Sequence, residues 1–396
     1  MSVTRDERGG APILEGARVI VVLGPLELGG SERQALLFAR YLVQEQRAAV
    51  EVWGTMGGPG RAAALCEEYG ITWRVVAQPW VAGALERRAR LLSFALRLRR
   101  ARPDVILPYT ALPNIVCGLV WRRTGARLCV WNQRDDGIAR VGTRYEPLAT
   151  ARTPLFIANS EGGAEHLVRD LRVERERVRV VHNGVELTAQ ESSRAEWRAR
   201  LGISEDSFVT TMVANFTVYK DHATLLKAWA KVIERTRVEG RDVALLLAGR
   251  FDETHDAARE SARELGLGES VRFLGQVTDV AGLLAASDAG VLCSNSEGSP
   301  NAVLEYMAAA LPVAATDIPA MREVLDAENH ALLAAPLDAE VLASKILELA
   351  GDAELRARLG ARNRRRVEEE FSPRRMCEAT LGVIAEGLGR DGGRIR

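Results

Sequence analysis

Short apolar runs alternate with helix-like stretches along nearly the whole chain, and near the middle the alternation begins again. Arg18-Val-Ile-Val-Val-Leu23, Ala49 to Trp53, Ile71 to Val76, Asp104 to Pro108, Arg127 to Trp131, Leu155 to Ala158 and Val178 to Val181 read as buried strands. Helical patterns separate most of them. Phe208 to Ala214, Val243 to Ala248, Val271 to Phe273, Ala289 to Cys293 and Pro312 to Thr316 then repeat the pattern. Continuous apolar strands joined by helices predict parallel sheets covered on both faces. The expected fold class is α/β, two Rossmann-like domains in tandem, with the carboxyl ends of the strands at a central inter-domain cleft. The length of 396 residues suits two such units better than one. Arg194-Ala-Glu-Trp-Arg-Ala-Arg-Leu201 reads as a polar helical connector between them.

Composition narrows the function classes. There are 53 basic and 53 acidic side chains, a net charge of zero, so no global basic field suggests nucleic acid. No apolar run reaches the roughly 18 residues of a membrane span, and Met1 to Gly10 is too polar for a secretory signal. The five cysteines are scattered without a CxxC pair and read as buried thiols in a reducing cytoplasm.

The chemistry concentrates in Glu297-Gly-Ser-Pro-Asn-Ala-Val-Leu-Glu305, two glutamates with seven residues between them. The segment follows an apolar strand and leads into a helix. Ser299 has the chemistry of an N-cap and Pro300 that of a first helical residue. One carboxylate therefore sits in a loop above a strand and the other within a helix. A helix N-terminus, suited to an anion such as a diphosphate, lies between them. Asn301 and Glu305 share a helix face.

Ser294 to Thr316 closely resembles the signature of the retaining glycosyltransferases of family four, whose two-domain fold is GT-B. The resemblance runs almost end to end. Val181-His-Asn-Gly-Val-Glu-Leu187 looks like that family's inter-domain segment, and Phe371-Ser-Pro373 begins its C-terminal element. It implies a disordered tail over 1–15, an acceptor domain over 16–183 and a donor nucleotide-sugar domain over 184–370. A C-terminal helix over 371–390 would cross back to the first domain, with a tail over 391–396. It further implies that Glu297 contacts the donor sugar and Glu305 the ribose. The backbone near Gly298, Ser299, Asn301 and Ala302 would hold the diphosphate.

Lys220 stands between a strand and a helix, where a cation would meet a departing diphosphate. Relatives pair this lysine with an arginine five residues earlier; here that place is Asn215, so either diphosphate stabilisation is weaker or other donors supply the second contact. A solvated surface lysine is the plain alternative. Gly29-Gly30 precedes a helix beginning at Ser31, with capping-box spacing to Gln34; Gly30 resembles the glycine loop that approaches phosphate. Relatives also carry a first-domain histidine near the donor sugar. His166, His182, His222, His255 and His330 all miss the expected loops, so Arg134 and Asp135 become the acceptor-side candidates. A polar turn accounts for that pair almost as well. Asp135-Asp136 alone is a poor metal site, and no metal is expected.

Residues 86–102 are the most basic stretch. As a helix they combine an apolar face with a cationic remainder, which suits anionic headgroups as well as an ordinary packed helix.

The expected function is retaining transfer of a sugar from a nucleoside diphosphate to an acceptor hydroxyl, in glycan, glycolipid or cell-envelope polysaccharide synthesis. Glu297 and Lys220 would be the catalytic pair. The nucleotide sugar is a substrate and no cofactor is expected. The place expected is the cytoplasm or the inner membrane face, and nucleic acid is not expected as a partner. Three rivals stand beside this reading. A glycosidase would need its carboxylates to flank one bond, which a loop residue and a helix residue do poorly. A GT-B sugar-nucleotide epimerase would need its own acid and base. An inactive sugar-nucleotide-binding protein would bind without turnover.

Overall fold

The computed structural model describes residues 13–80, 83–137, 144–187, 189–238 and 240–390, without the side chain of Arg390. The chain divides into two compact units. The first takes in the described residues of Met1–Asn159, Gly163–Val181 and Met376–Arg396; the second is Ser160–Gly162 and His182–Arg375. Of the expected tails, 1–12 and 391–396 lie outside the described residues, and Leu14 is buried in the first core.

The first unit holds strands β1 (Arg18–Leu26), β2 (Ala49–Pro59), β3 (Thr72–Val75), β4 (Val105–Pro108), β5 (Leu128–Gln133), β6 (Leu155–Ala158) and β7 (Val178–Val180). All are parallel, in the order β3-β2-β1-β4-β5-β6-β7. One face packs under the helix Gly30–Gln44 and the C-terminal helix Pro373–Arg390, whose Met376, Leu381, Ile384 and Leu388 join that core. The other face carries Trp53, Phe94, Trp131 and Phe156.

The second unit holds β8 (Phe208–Val213), β9 (Val243–Ala248), β10 (Val271–Gly275), β11 (Ala289–Leu292), β12 (Val313–Thr316) and β13 (Leu333–Ala334). They too are parallel, in the order β10-β9-β8-β11-β12-β13. Both sheets thus reverse direction once, at β1/β4 and at β8/β11. Open α/β sheets bind ligands at such a switch point, outside the carboxyl ends of the strands.

Local expectations need three corrections. Arg194–Leu201 is not a connector; it is an integral helix of the second unit. Arg198 is buried there and donates to the carbonyls of Ser204, Glu205, Ser207 and Ala286, with a 2.9 Å ion pair to Asp288. Trp197 donates to Asp279 at 2.8 Å. Ser193 and Glu196 form a reciprocal capping box at its start, a spacing visible in the sequence. The capping box expected of Ser31 and Gln34 does not form, because the helix begins one residue earlier, at Gly30, and Gly29 is its N-cap. The third correction concerns Ser299 and belongs to the site.

All five cysteines are buried and free. Burial raises the Cys66 thiol to about 11 and the Cys377 thiol to about 12, so neither is a nucleophile near neutral pH. Among the described residues no helix is long and apolar enough to cross a membrane.

Candidate functional site

The loops leaving β8 and β11, the two strands that flank the second switch point, carry Lys220 and Glu297. The structure brings these side chains together: Lys220 Nζ forms an ion pair with Glu297 Oε1. Both are largely enclosed, at 15 % and 10 % side-chain exposure, which sets the pair apart from a solvated surface contact. Ser294 Oγ donates to the same carboxylate oxygen at 2.6 Å. Ser294 is itself fixed, its N–H donating to Thr316 Oγ1 at 3.0 Å while the Thr316 hydroxyl donates to the Ser294 carbonyl at 2.5 Å. The two loops are also laced by backbone, Asn295 N–H to the Tyr219 carbonyl at 2.8 Å. Below them Tyr306 spans the strands: its hydroxyl accepts from Val213 N–H at 2.6 Å and faces the Val291 carbonyl at 3.4 Å. A side chain on Gly290 would strike the Tyr306 ring at 2.3 Å, so the tyrosine needs glycine there.

The helix after Glu297 runs from Asn301 to Ala308. Ser299 does not cap it; Pro300 is the N-cap residue, no side chain caps the helix, and the Ser299 hydroxyl is buried without a partner. The chain turns through Pro300 instead. The Val303 and Leu304 N–H groups both go to the Pro300 carbonyl, and that of Asn301 goes to Ser299. Among the described residues no acceptor takes the N–H of Gly298, Ser299 or Ala302. A helix start with spare donors and an unpartnered buried hydroxyl suits an anion. Asn301 Oδ1 accepts from Asn183 Nδ2 at 2.7 Å, and Glu305 is buried one turn on.

Asn215 Oδ1 accepts the Arg250 N–H at 3.0 Å, tying the β8 loop to the β9 loop. The loops approach so closely that a Cβ on Gly249 would lie 2.0 Å from the Ala214 carbonyl oxygen. Lys220 is followed by Asp221 at φ 40°, a left-handed position that Asp tolerates, whose Oδ1 accepts from Thr224 N–H. His222 stacks on Phe216 at 4.1 Å between ring centroids. Burial, then the charge of Lys220, lowers its pKa to about 4.

The first unit places its candidates around its own switch point. Gly29 is extended (φ −114°) and its carbonyl accepts from Arg33 N–H, so Gly30 opens the helix after β1. Arg134, after β5, lies over the Tyr109 ring at 5.5 Å. Burial pushes Tyr109 up to about 12 against the pull of Arg134, whose own pKa burial lowers. Asp135 closes its own loop, its carboxylate accepting from Gly137 N–H at 2.8 Å and Gln133 Nε2 at 3.3 Å. A histidine does reach this loop. His166, from the helical segment after β6, packs where a Cβ on Gly137 would meet its Nδ1 at 2.5 Å, and that nitrogen bonds Asp170 at 2.8 Å.

The Glycosyl transferases group 1 family pattern matches residues 193–366, and Glycosyltransferase Family 4 matches residues 28–189. The chain is 30 % identical over 303 residues to the lipopolysaccharide core biosynthesis glycosyltransferase LpsE of Rhizobium meliloti, spanning 76 % of this chain and 82 % of the relative. It belongs to the group 1, family 4 glycosyltransferases. LpsD of the same organism is 28 % identical over 373 residues, covering 91 % and 96 % of the two chains. Among solved structures, Anabaena HepE in complex with UDP and glucose superposes with a TM-score of 0.80 at 19 % identity, over 93 % of this chain and 99 % of that one. WaaG, a glycosyltransferase involved in lipopolysaccharide biosynthesis, gives 0.68 at 17 % identity over 91 % and 99 %. The GT-B fold expected from the signature is therefore the fold of this glycosyltransferase. The sequence points to Lys220 and Glu297; Ser294, Tyr306 and Thr316 lie within the signature stretch and Asn183 within the segment Val181 to Leu187, but nothing there assigns any of the four a role. Their types are common in loops and only the fold shows what they hold.

Proposed function

We propose that this glycosyltransferase transfers a sugar, with retention of anomeric configuration, from a nucleoside diphosphate to a hydroxyl of a glycan, lipid-linked or small-molecule acceptor in cell-envelope polysaccharide or glycolipid synthesis. The observation that carries the proposal is the meeting of Lys220 and Glu297, from the two loops of the switch point, at a helix start with unspent N–H donors. The diphosphate takes the amides of Gly298, Ser299 and Ala302 and draws Lys220 onto its leaving oxygen. Glu297, held by Ser294, then accepts from the sugar hydroxyls, and Glu305 accepts from the ribose. The bond from the anomeric carbon to the diphosphate oxygen breaks as the acceptor oxygen bonds that carbon from the same face. The acceptor's proton passes to the departing phosphate. Catalysis is positioning and charge stabilisation. The nucleotide sugar is a substrate, and Lys220 with the helix amides serves in place of a metal ion, so chelation with EDTA leaves the rate unchanged. Relatives named for lipopolysaccharide core biosynthesis and a neighbour holding UDP and glucose support the substrate class.

The test is proton NMR of a transfer reaction over a panel of nucleotide sugars and acceptors. Release of nucleoside diphosphate with a product of the donor's own anomeric configuration is expected. An inverted product would exclude the retaining reading. Donor binding without turnover across the panel would leave a binding protein.

A further inference from the structure

Within the second unit, cations are scarce where the strands end. Among the described residues, the loops that follow β8, β9, β10, β11, β12 and β13 hold two cationic side chains, Lys220 and Arg250. Lys220 already faces Glu297. A diphosphate brings more than one negative charge, and departure from a sugar adds another, so Lys220 alone leaves part of it unmet. Arg250 leaves β9, which lies about 5 Å from β8 and about 10 Å from β11 at the usual strand spacing. Its backbone is fixed against the loop that carries Lys220. The Arg250 N–H donates to Asn215 Oδ1 at 3.0 Å, and its carbonyl accepts from Phe216 N–H at 3.1 Å. Its side chain is not fixed. That side chain is 48 % exposed and, among the described residues, pairs only with Asp252, at 3.2 Å. An exposed pair two residues apart contributes little and yields readily to a stronger acceptor. Phosphate is one, because the planar guanidinium fork can donate to two of its oxygens at once.

We infer that Arg250 is the second cation on the donor diphosphate. When the donor binds, the guanidinium leaves Asp252 and takes phosphate oxygens beside Lys220. Asn215 is the positioning residue, holding the Arg250 backbone against the β8 loop so that only the side chain has to move. Asp252 competes with the phosphate for the same guanidinium. The inference rests on the donor reading proposed above and names a further residue of that same site.

Calorimetric titration of the full-length protein with uridine, guanosine and adenosine diphosphates tests it. At least one should bind wild type. For that nucleotide Arg250→Ala should raise Kd on the order of 10- to 100-fold, as loss of a hydrogen bond to a charged group does, and Arg250→Lys should restore part of the loss. Asp252→Ala removes the competing carboxylate and should lower Kd by about 2- to 5-fold. Asn215→Ala should weaken binding, yet add little to Arg250→Ala, because both act through one side chain. Arg259→Ala removes an exposed arginine from the helix His255–Glu264 and should leave Kd unchanged. Arg250 and Asp252 lie in a surface loop, so their variants should melt as wild type does. A wild-type Kd in Arg250→Ala, where Lys220→Ala binds weakly, would overturn the inference and leave the donor reading standing. Looser binding in Asp252→Ala, or an equal loss in Arg259→Ala, would overturn it too. If none of the three nucleotides binds wild type, the donor reading fails and this inference with it.

Discussion

Lys220 and Glu297 occupy one another in the fold, and the proposed function gives each a separate task toward the donor. Removing either therefore exposes the other. Lys220→Ala should lower kcat by roughly 10²–10³, as loss of one charge-stabilising group does, and should also lower the melting temperature, because it leaves the enclosed Glu297 carboxylate without its cation. A variant retaining wild-type kcat in steady-state assay would remove Lys220 from the mechanism. Asn183 acts one step back. Its hydrogen bond holds the Asn301 side chain at the helix start, so Asn183→Ala should cost about 1 kcal/mol, read as a several-fold rise in donor KM with kcat nearly kept. His222 gives a pH signature. Its folded pKa is near 4, below the unfolded value, so unfolded chains bind a proton that folded ones refuse as pH falls. Stability contributed by the neutral ring is full above about pH 6.5 and is lost between there and about 4. The loss amounts to roughly 3 kcal/mol. Urea unfolding at pH 7 and pH 5 should show a decline that His222→Gln flattens; an equal decline in the variant would assign it to other groups.

At the scale of elements, apolar strands and their order of appearance were legible because burial on both faces leaves an unbroken hydrophobic run. Leu155–Ala158 and Val243–Ala248 end where the sequence pattern ends. The two-residue β13 was not legible, since Leu333–Ala334 is too short to carry a period. Helix starts misled for a different reason. Ser31 and Ser299 have the right chemistry for caps, but the backbone turns through Gly29 and Pro300, and a cap needs that geometry first. The connector reading of Arg194–Leu201 failed because four charges in eight residues read as solvated. Arg198 instead finds four carbonyls and Asp288 inside the fold. The site was legible where one loop carried it, around Glu297. Arg250 meets Asn215 through a backbone N–H that leaves no pattern, and Asn183, although inside the segment Val181 to Leu187, meets Asn301 through an amide whose distant partner only the fold shows. The close loop crossing gives the element-scale prediction. Gly249→Ala forces a methyl against the Ala214 carbonyl and should destabilise the second unit by 1–3 kcal/mol or more. Gly240→Ala, at φ 66° but with open space, should cost about 1 kcal/mol. Chemical denaturation of both compares steric contact with backbone strain.

At the scale of the molecule, two sheets of the same strand order each present loops at their own switch point, and the two sets differ in chemistry. The second brings together a lysine and a carboxylate in the loops beside a helix start. The first holds Arg134 over Tyr109, the helix start at Gly29-Gly30 and a loop against which His166 packs. The account assigns the donor to the second set, and that is its central claim. Following nucleoside diphosphate release with wild type, Lys220→Ala and Glu297→Ala side by side over uridine, guanosine and adenosine diphosphate sugars tests it most directly. At least one donor should be consumed by wild type and by neither variant, with both variants folded at the assay temperature by circular dichroism. Turnover of that donor at the wild-type rate by either variant would contradict the claim.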